Sequence, residues 1–311
     1  MEMKVLNEVI DCLSNGRRLA HYFEDRYAYY LLAKYCEKYS EASIAQIKQS
    51  SFSKLLQRPG IKQLVSNFGN GKVDTILLNN PLATDYTRYV ITLSKWGMKK
   101  DYRWSQTTLP GANLVMQLNL TNQHDQYLRE LKLNDSPFKY RAHPIHESKS
   151  SLSWARIDFS FETGEALVEE IQTDWIRRAA RHFRWAKRTL GNGNTWYRHA
   201  GATYQAQDMF EYTRSLLDRY EKQWMEATLF HAIKLIKEDI GLSKIFYHSY
   251  QTGAVVKNIT GTLPPKSLYT SLPRRFCFVP DAGGPDFVVR NSKFKRRLKK
   301  IKEPSWLKLE L

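Results

Sequence analysis

The segment from Trp154 to Trp175 restricts the possible folds of this chain more than any other. Ala155, Ile157, Phe159 and Phe161 alternate with Arg156, Asp158 and Ser160, the period-two signature of a strand. Glu162-Thr163-Gly164-Glu165 supplies a turn with a glycine for positive φ, and Ala166 to Thr173 resumes extended character, so a β-hairpin is predicted. Asp174 follows as an N-cap carboxylate that accepts from free backbone N–H groups. The helix it opens is predicted to reach about Leu190, where Gly191-Asn192-Gly193-Asn194 ends it.

Periodicity organises the rest. From Asn7 to about Leu56 apolar residues recur at three- and four-residue steps, and Arg58-Pro59-Gly60 breaks the pattern, so residues 1–72 read as a helical N-terminal region. Short apolar runs at Thr75-Ile76-Leu77-Leu78, Tyr89 to Leu93 and Asn113 to Leu118 read as strands. Downstream, a helix from about Ala206 to Tyr220, continuing toward Ile240, precedes a strand at Lys244 to Ser249 and a short helix at Gly253 to Ile259. Arg275 to Val279 and Asp286 to Arg290 read as a last pair of strands. The expected fold class is α/β (α+β): a mixed core over 73–289 with a helical insertion at about 177–222, and a basic tail at 290–311.

Charge narrows the partners. Lys and Arg number 48 against 31 Asp and Glu, a formal charge of +17. Eight basic residues and no acid lie between Arg290 and Lys302: Arg290, Lys293, Lys295, Arg296, Arg297, Lys299, Lys300 and Lys302. A second cluster, Arg177, Arg178, Arg181, Arg184, Lys187 and Arg188, falls on one face of the predicted helix, with Trp175, Phe183 and Trp185 interleaved. Nucleic acid or another polyanion is the natural partner, since each cluster would contribute affinity through counterion release. The plainer reading is a solvated segment that raises solubility. No apolar run approaches the length needed to cross a bilayer, Met1 to Ile10 lacks a signal-peptide pattern, and Cys12, Cys36 and Cys277 are too scattered for a disulfide framework. The expected setting is the cytoplasm, with no membrane partner.

Candidate chemistry gathers at the end of the predicted hairpin. Along Leu167 to Trp175, alternation places Glu170, Gln172 and Asp174 on one face and Glu169 on the other. Adjacent carboxylates there would raise one another's pKa and supply a general base, or would pair with the arginines of the following helix. His248 and Tyr250, at the end of another strand, would face the same cleft. His143, His146, Glu147 and His124 lack metal-ligand spacing, so no metal is expected. The chain has no P-loop and no Gly-x-Ser-x-Gly elbow, which removes the familiar nucleotide-hydrolysis and serine-hydrolase readings.

Ala166-Leu167-Val168-Glu169-Glu170-Ile171-Gln172-Thr173-Asp174-Trp175 resembles the Glu-Ile-Gln-Ser-Asp-Trp motif of domains in large phage and mobile-element polyvalent proteins, with Thr173 in place of serine. Trp224 to Asp239, Gly241, Lys244 to His248 and Gln251-Thr252-Gly253 follow in the same order as in those domains. The order of elements also resembles the second half of GNAT-like acyltransferases, in which two central parallel strands splay apart to admit an acyl-CoA thioester. That resemblance implies Ala166 to Thr173 and Lys244 to Ser249 as the splayed pair, acyl-CoA as cofactor, and group transfer; taken with the basic helix, the expected function is group transfer on or at nucleic acid. A non-catalytic nucleic-acid-binding or virion-associated protein is the alternative. The Gln/Arg-x-x-Gly-x-Gly/Ala loop of the acyltransferases is absent after Thr173.

Overall fold

The structure is a computed structural model that describes all residues except 14–17, 40, 41, 70, 83, 84, 98–105 and 260–263, together with the side chain of Lys293. Among the described residues the strands are β1 (Arg18–Tyr22), β2 (Thr87–Trp96), β3 (Asn113–Asn119), β4 (Ser151–Ser160), β5 (Glu165–Gln172), β6 (Trp196–His199), β7 (Ala202–Gln205), β8 (Lys244–His248), β9 (Val279–Asp281) and β10 (Trp306–Glu310). The helices of the first half are α1 (Met3–Leu13), α2 (Arg26–Lys38), α3 (Ile44–Lys48), α4 (Pro59–Ser66), α5 (Thr75–Asn79) and α6 (Asn122–Glu130). Those of the second half are α7 (Trp175–Gly191), α8 (Ala206–Tyr220), α9 (Trp224–Lys234), α10 (Tyr250–Val256), α11 (Ser271–Arg275), α12 (Asp286–Val289) and α13 (Ser292–Leu298).

Eight strands form one mixed sheet in the order β1-β2-β3-β4-β5-β8-β10-β9, and β6 and β7 form a separate hairpin. β1 to β5 are an antiparallel meander closed by the predicted hairpin β4–β5. β8 then pairs parallel to β5, and β10 and β9 follow antiparallel. The parallel pairing is short, running only from Glu165↔Lys244 to Val168↔Tyr247. A β-bulge lies at the point where it stops: Arg156 faces Glu170 and Ile157 faces Val168, which leaves Glu169 unopposed.

Both faces of the sheet are covered. Ala155, Ile157, Phe159, Ala166, Val168, Ile171, Ile245, Tyr247 and Leu309 point into a large core shared with α2, α7, α8 and α9. Leu167, Phe246 and Trp306 point the other way into a smaller core closed by Val256, Val288 and Phe294 of α10, α12 and α13. The polar residues that alternate along β4 therefore do not meet solvent: Arg156 and Asp158 are both buried.

Several expected elements differ, each for a local reason. Thr75 to Leu78 is helical, because the Asp74 carboxylate accepts from the Ile76 and Leu77 N–H groups and caps α5. Residues 1–72 contribute an edge strand, β1, as well as helices. The insertion at 177–222 carries the β6–β7 hairpin between α7 and α8. Arg275 to Val279 is the end of α11, a turn with Cys277 at φ 64°, and the start of β9. Asp286 to Arg290 is α12. The segment read as a tail, 290–311, holds α13 and β10, and β10 is an interior strand of the sheet.

Candidate functional site

The predicted polar row on β5 splits into an enclosed cluster and a second group that meets the partly exposed His143. The bulge decides which residues belong to the enclosed cluster. By inserting Glu169 as an extra residue, it brings Glu169 and Glu170 into one cluster, where simple alternation places them on opposite faces. Glu170 pairs with the Arg156 guanidinium opposite it on β4, and the Lys257 ammonium lies 3.7 Å away. Glu169 accepts from the Thr108 backbone N–H (3.0 Å), the Thr108 hydroxyl (2.6 Å) and His248 Nε2 (3.2 Å). Lys257 donates to the Glu169 backbone carbonyl at 3.0 Å, just past the last β5–β8 pair.

Burial favours the neutral form of every group in this cluster, and mutual charge opposes it. Burial alone would raise both glutamates. His248, Lys257 and Arg156 outweigh it for Glu169, as Lys257 and Arg156 do for Glu170, and both carboxyls are held below their ordinary range. Burial pushes the Lys257 ammonium and the His248 imidazole down, and the glutamates recover only part of that. Two cations and two anions thus neutralise each other with side-chain exposures of 0% to 8%. In this arrangement Glu170 is paired with Arg156 and Lys257, and His248 is a hydrogen-bond partner of Glu169. Tyr250 opens α10 with its ring edge-on to Tyr269 and makes no hydrogen bond to the cluster among the described residues.

Beyond the bulge the row continues to the partly exposed Gln172 and the buried Asp174. Asp174, 3% exposed, does not cap α7. Its backbone is already helical, and Thr173 takes the capping role: the Thr173 hydroxyl accepts from the Ile176 N–H and donates to the Leu152 carbonyl. This places the Asp174 carboxylate against His143, whose Nδ1 lies 2.7 Å from Oδ2. The other oxygen, Oδ1, accepts from the Gln172 amide at 3.3 Å and from the Arg177 guanidinium. Burial would raise the Asp174 carboxyl, but the His143 hydrogen bond and charge, reinforced by Arg177, hold it low. The His143 ring is fixed edge-on by Tyr140 and Trp154, with centroids 4.6 and 5.6 Å away. His143 also lines an open cavity of about 680 Å³ with Lys139, Arg141, His146 and Glu147 among its walls.

The basic residues separate by surroundings. Arg177, Arg181, Arg184 and Arg188 recur at four, three and four residues, spanning about 60° of the α7 circumference. All four are exposed, opposite the buried Trp175, Ala179, His182 and Ala186. Arg178 is drawn aside to the Pro137 carbonyl and the face of Tyr140. The β6–β7 hairpin packs Tyr197 and His199 against α7 and turns Trp196 and Arg198 to solvent. On α13, Phe294 is buried, Arg297 donates to the Val256 carbonyl at 2.5 Å, and Lys295 and Arg296 are exposed, as are Lys299 and Lys300 in the turn that follows.

Sequence reasoning missed Arg156, Lys257 and Thr108, and gave His143 only a metal role. An arginine directly across a hairpin from a glutamate is a recognisable cross-strand pair, so Arg156 had a signal. Lys257 and Thr108 reach the cluster from distant segments with no local pattern. Among the described residues no group of three or more metal-ligating side chains occurs, and no helix is long and apolar enough to cross a membrane. The chain matches no protein-family model, no curated protein and no solved structure.

Proposed function

We infer that this protein binds nucleic acid, in the phage or mobile-element setting that its Glu-Ile-Gln-Thr-Asp-Trp motif implies. The observation that carries this reading is the outer face of α7 and its hairpin: Arg181, Arg184 and Arg188 are exposed with no acidic partner among the described residues, beside exposed Trp196 and Arg198. A cation row with an adjacent aromatic is the arrangement that tracks a phosphate backbone and stacks bases without reading their sequence. Salt dependence is the test. Neutralising Arg181, Arg184 and Arg188 together is expected to reduce the slope of log affinity against log salt for a single-stranded oligonucleotide by about 2, at roughly 0.7 per phosphate contact. An unchanged slope in fluorescence anisotropy would remove this face from the binding site.

A GNAT-like layout is the second reading. The strand order and the parallel pairing of β5 with β8 favour it. Acyl-CoA does not fit as its cofactor. Just past the last β5–β8 pair the Glu169 carbonyl is occupied by Lys257, and the start of α7 carries the Asp174 carboxylate in place of a glycine-rich anion loop. Glu170 and His248 are buried in the ion-pair cluster, so the chemistry proposed below is placed at Gln172, Asp174 and the partly exposed His143.

A further inference from the structure

We propose that His143 is the general base of a site that cleaves single-stranded RNA, taking the proton of a ribose 2′-hydroxyl, with Asp174 and Gln172 as positioning residues. This rests on the nucleic-acid reading above and assigns chemistry to the ligand that reading supplies. In the tautomer with its proton on Nδ1, His143 donates to the buried Asp174 carboxylate at 2.7 Å and carries its lone pair on Nε2; the Gln172 amide nitrogen also lies 3.0 Å from Nδ1. Gln172 and Arg177 hold its second oxygen, which prevents the carboxylate from turning away. His143 is about one-quarter exposed and lines the 680 Å³ cavity, so a substrate reaches the ring while the orienting acid stays dry.

Two further features select the substrate. Arg177, on the second oxygen of the same carboxylate, is the first residue of the α7 cation row, which runs about 16 Å to Arg188. A strand lying along that row therefore has one end at His143. Beside the histidine, Arg141 lines the cavity as a phosphate partner. Phosphate and hydroxyl each have a counterpart.

In the step, Nε2 removes the 2′-hydroxyl proton as O2′ attacks the adjacent phosphorus. The O2′–P bond forms, the P–O5′ bond breaks, and the 5′ oxygen leaves with a proton from solvent. His143 then returns its proton to solvent. The products are a 2′,3′-cyclic phosphate and a 5′-hydroxyl, with no change of oxidation state and no co-reactant. A hydroxyl tethered beside its own phosphorus needs only a base and charge neutralisation, which this site provides.

The full chain would be incubated with a labelled RNA oligonucleotide and the DNA of the same sequence, with binding followed by anisotropy and products by gel and mass. RNA cleaved to cyclic-phosphate ends, with DNA bound but intact, is expected. His143→Gln should slow cleavage by about 10²- to 10⁴-fold while leaving affinity unchanged. Asp174→Asn should slow it through kcat with KM unchanged, and Asp174→Glu should recover part of the loss, as expected of a residue that orients the base. Should the asparagine variant fail to fold, Gln172→Ala is expected to give the same split of kcat against KM. RNA bound but uncut, or cleavage indifferent to His143→Gln, overturns this inference and leaves the binding reading standing. Failure to bind either strand overturns both.

Discussion

Lys257 is a fully buried ammonium held by one carbonyl and one carboxylate on a strand far away in sequence. Removing one partner of such a buried pair usually costs more than the pair contributes, because the remaining charge is stranded. Lys257→Met is therefore expected to lose roughly 3 to 5 kcal/mol in denaturant unfolding. Lys257→Met combined with Glu170→Gln should lose less than the sum of the single variants, the difference being their coupling. Acid adds a signature. The folded pKa values of Glu169 and Glu170 lie below their unfolded values, so their stabilisation is complete above about pH 4.3 and disappears as pH falls toward the folded values. Buried His248, also lowered, acts with the same sign below about pH 6.5, where the unfolded imidazole takes up a proton that the folded one resists. Without Lys257, Glu170 is held down less, and the acid midpoint of unfolding should move to higher pH.

At the scale of elements, α10 is seated by a glycine. A Cβ on Gly253 would lie 2.9 Å from His248 Cβ and 3.2 Å from its Cγ, and both are rigid parts of the side chain. Gly253→Ala must push α10 off β8, with an expected loss of about 1 to 3 kcal/mol, readable as a lower unfolding midpoint. Retention of wild-type stability would show that this contact is soft. The β4–β5 hairpin and α7 were legible because alternation, turn glycine and helix periodicity agree over twenty residues. The bulge at Glu169 was not, since an extra residue in a strand leaves no mark in an alternating pattern that reads as polar on both sides of it. Thr75 to Leu78 was ambiguous for a different reason: four apolar residues fit a strand or a helical turn equally, and only the capping hydrogen bonds of Asp74 decide. β10 was obscured by the basic residues before it, because charge density reads as tail although Trp306 and Leu309 are buried. The candidate site divides similarly. Gln172 and Asp174 were found from their spacing, whereas His143 reaches them only through tertiary folding.

For the molecule as a whole, the two basic clusters belong to different faces of the sheet. Ile176, Ala179 and Ala186 anchor α7 in the large core, and Phe294 anchors α13 in the small one. A sheet with helices on both sides separates these surfaces by more than the Debye length of about 8 Å at physiological salt, so each should act independently. A short single-stranded oligonucleotide that occupies only α7 should not sense α13. Replacing Lys295, Arg296, Lys299 and Lys300 with glutamine is expected to leave its affinity unchanged, while lowering the salt slope by roughly 3 for a strand long enough to reach both faces. These four side chains are exposed, so the thermal midpoint should hold. Deleting 290–302 tests something else, because it removes Phe294 from the small core and cuts the segment leading into β10 between β8 and β9. If the four-glutamine variant abolishes binding of the short oligonucleotide, the clusters form one continuous site, and the assignment of the strand to α7 alone is wrong.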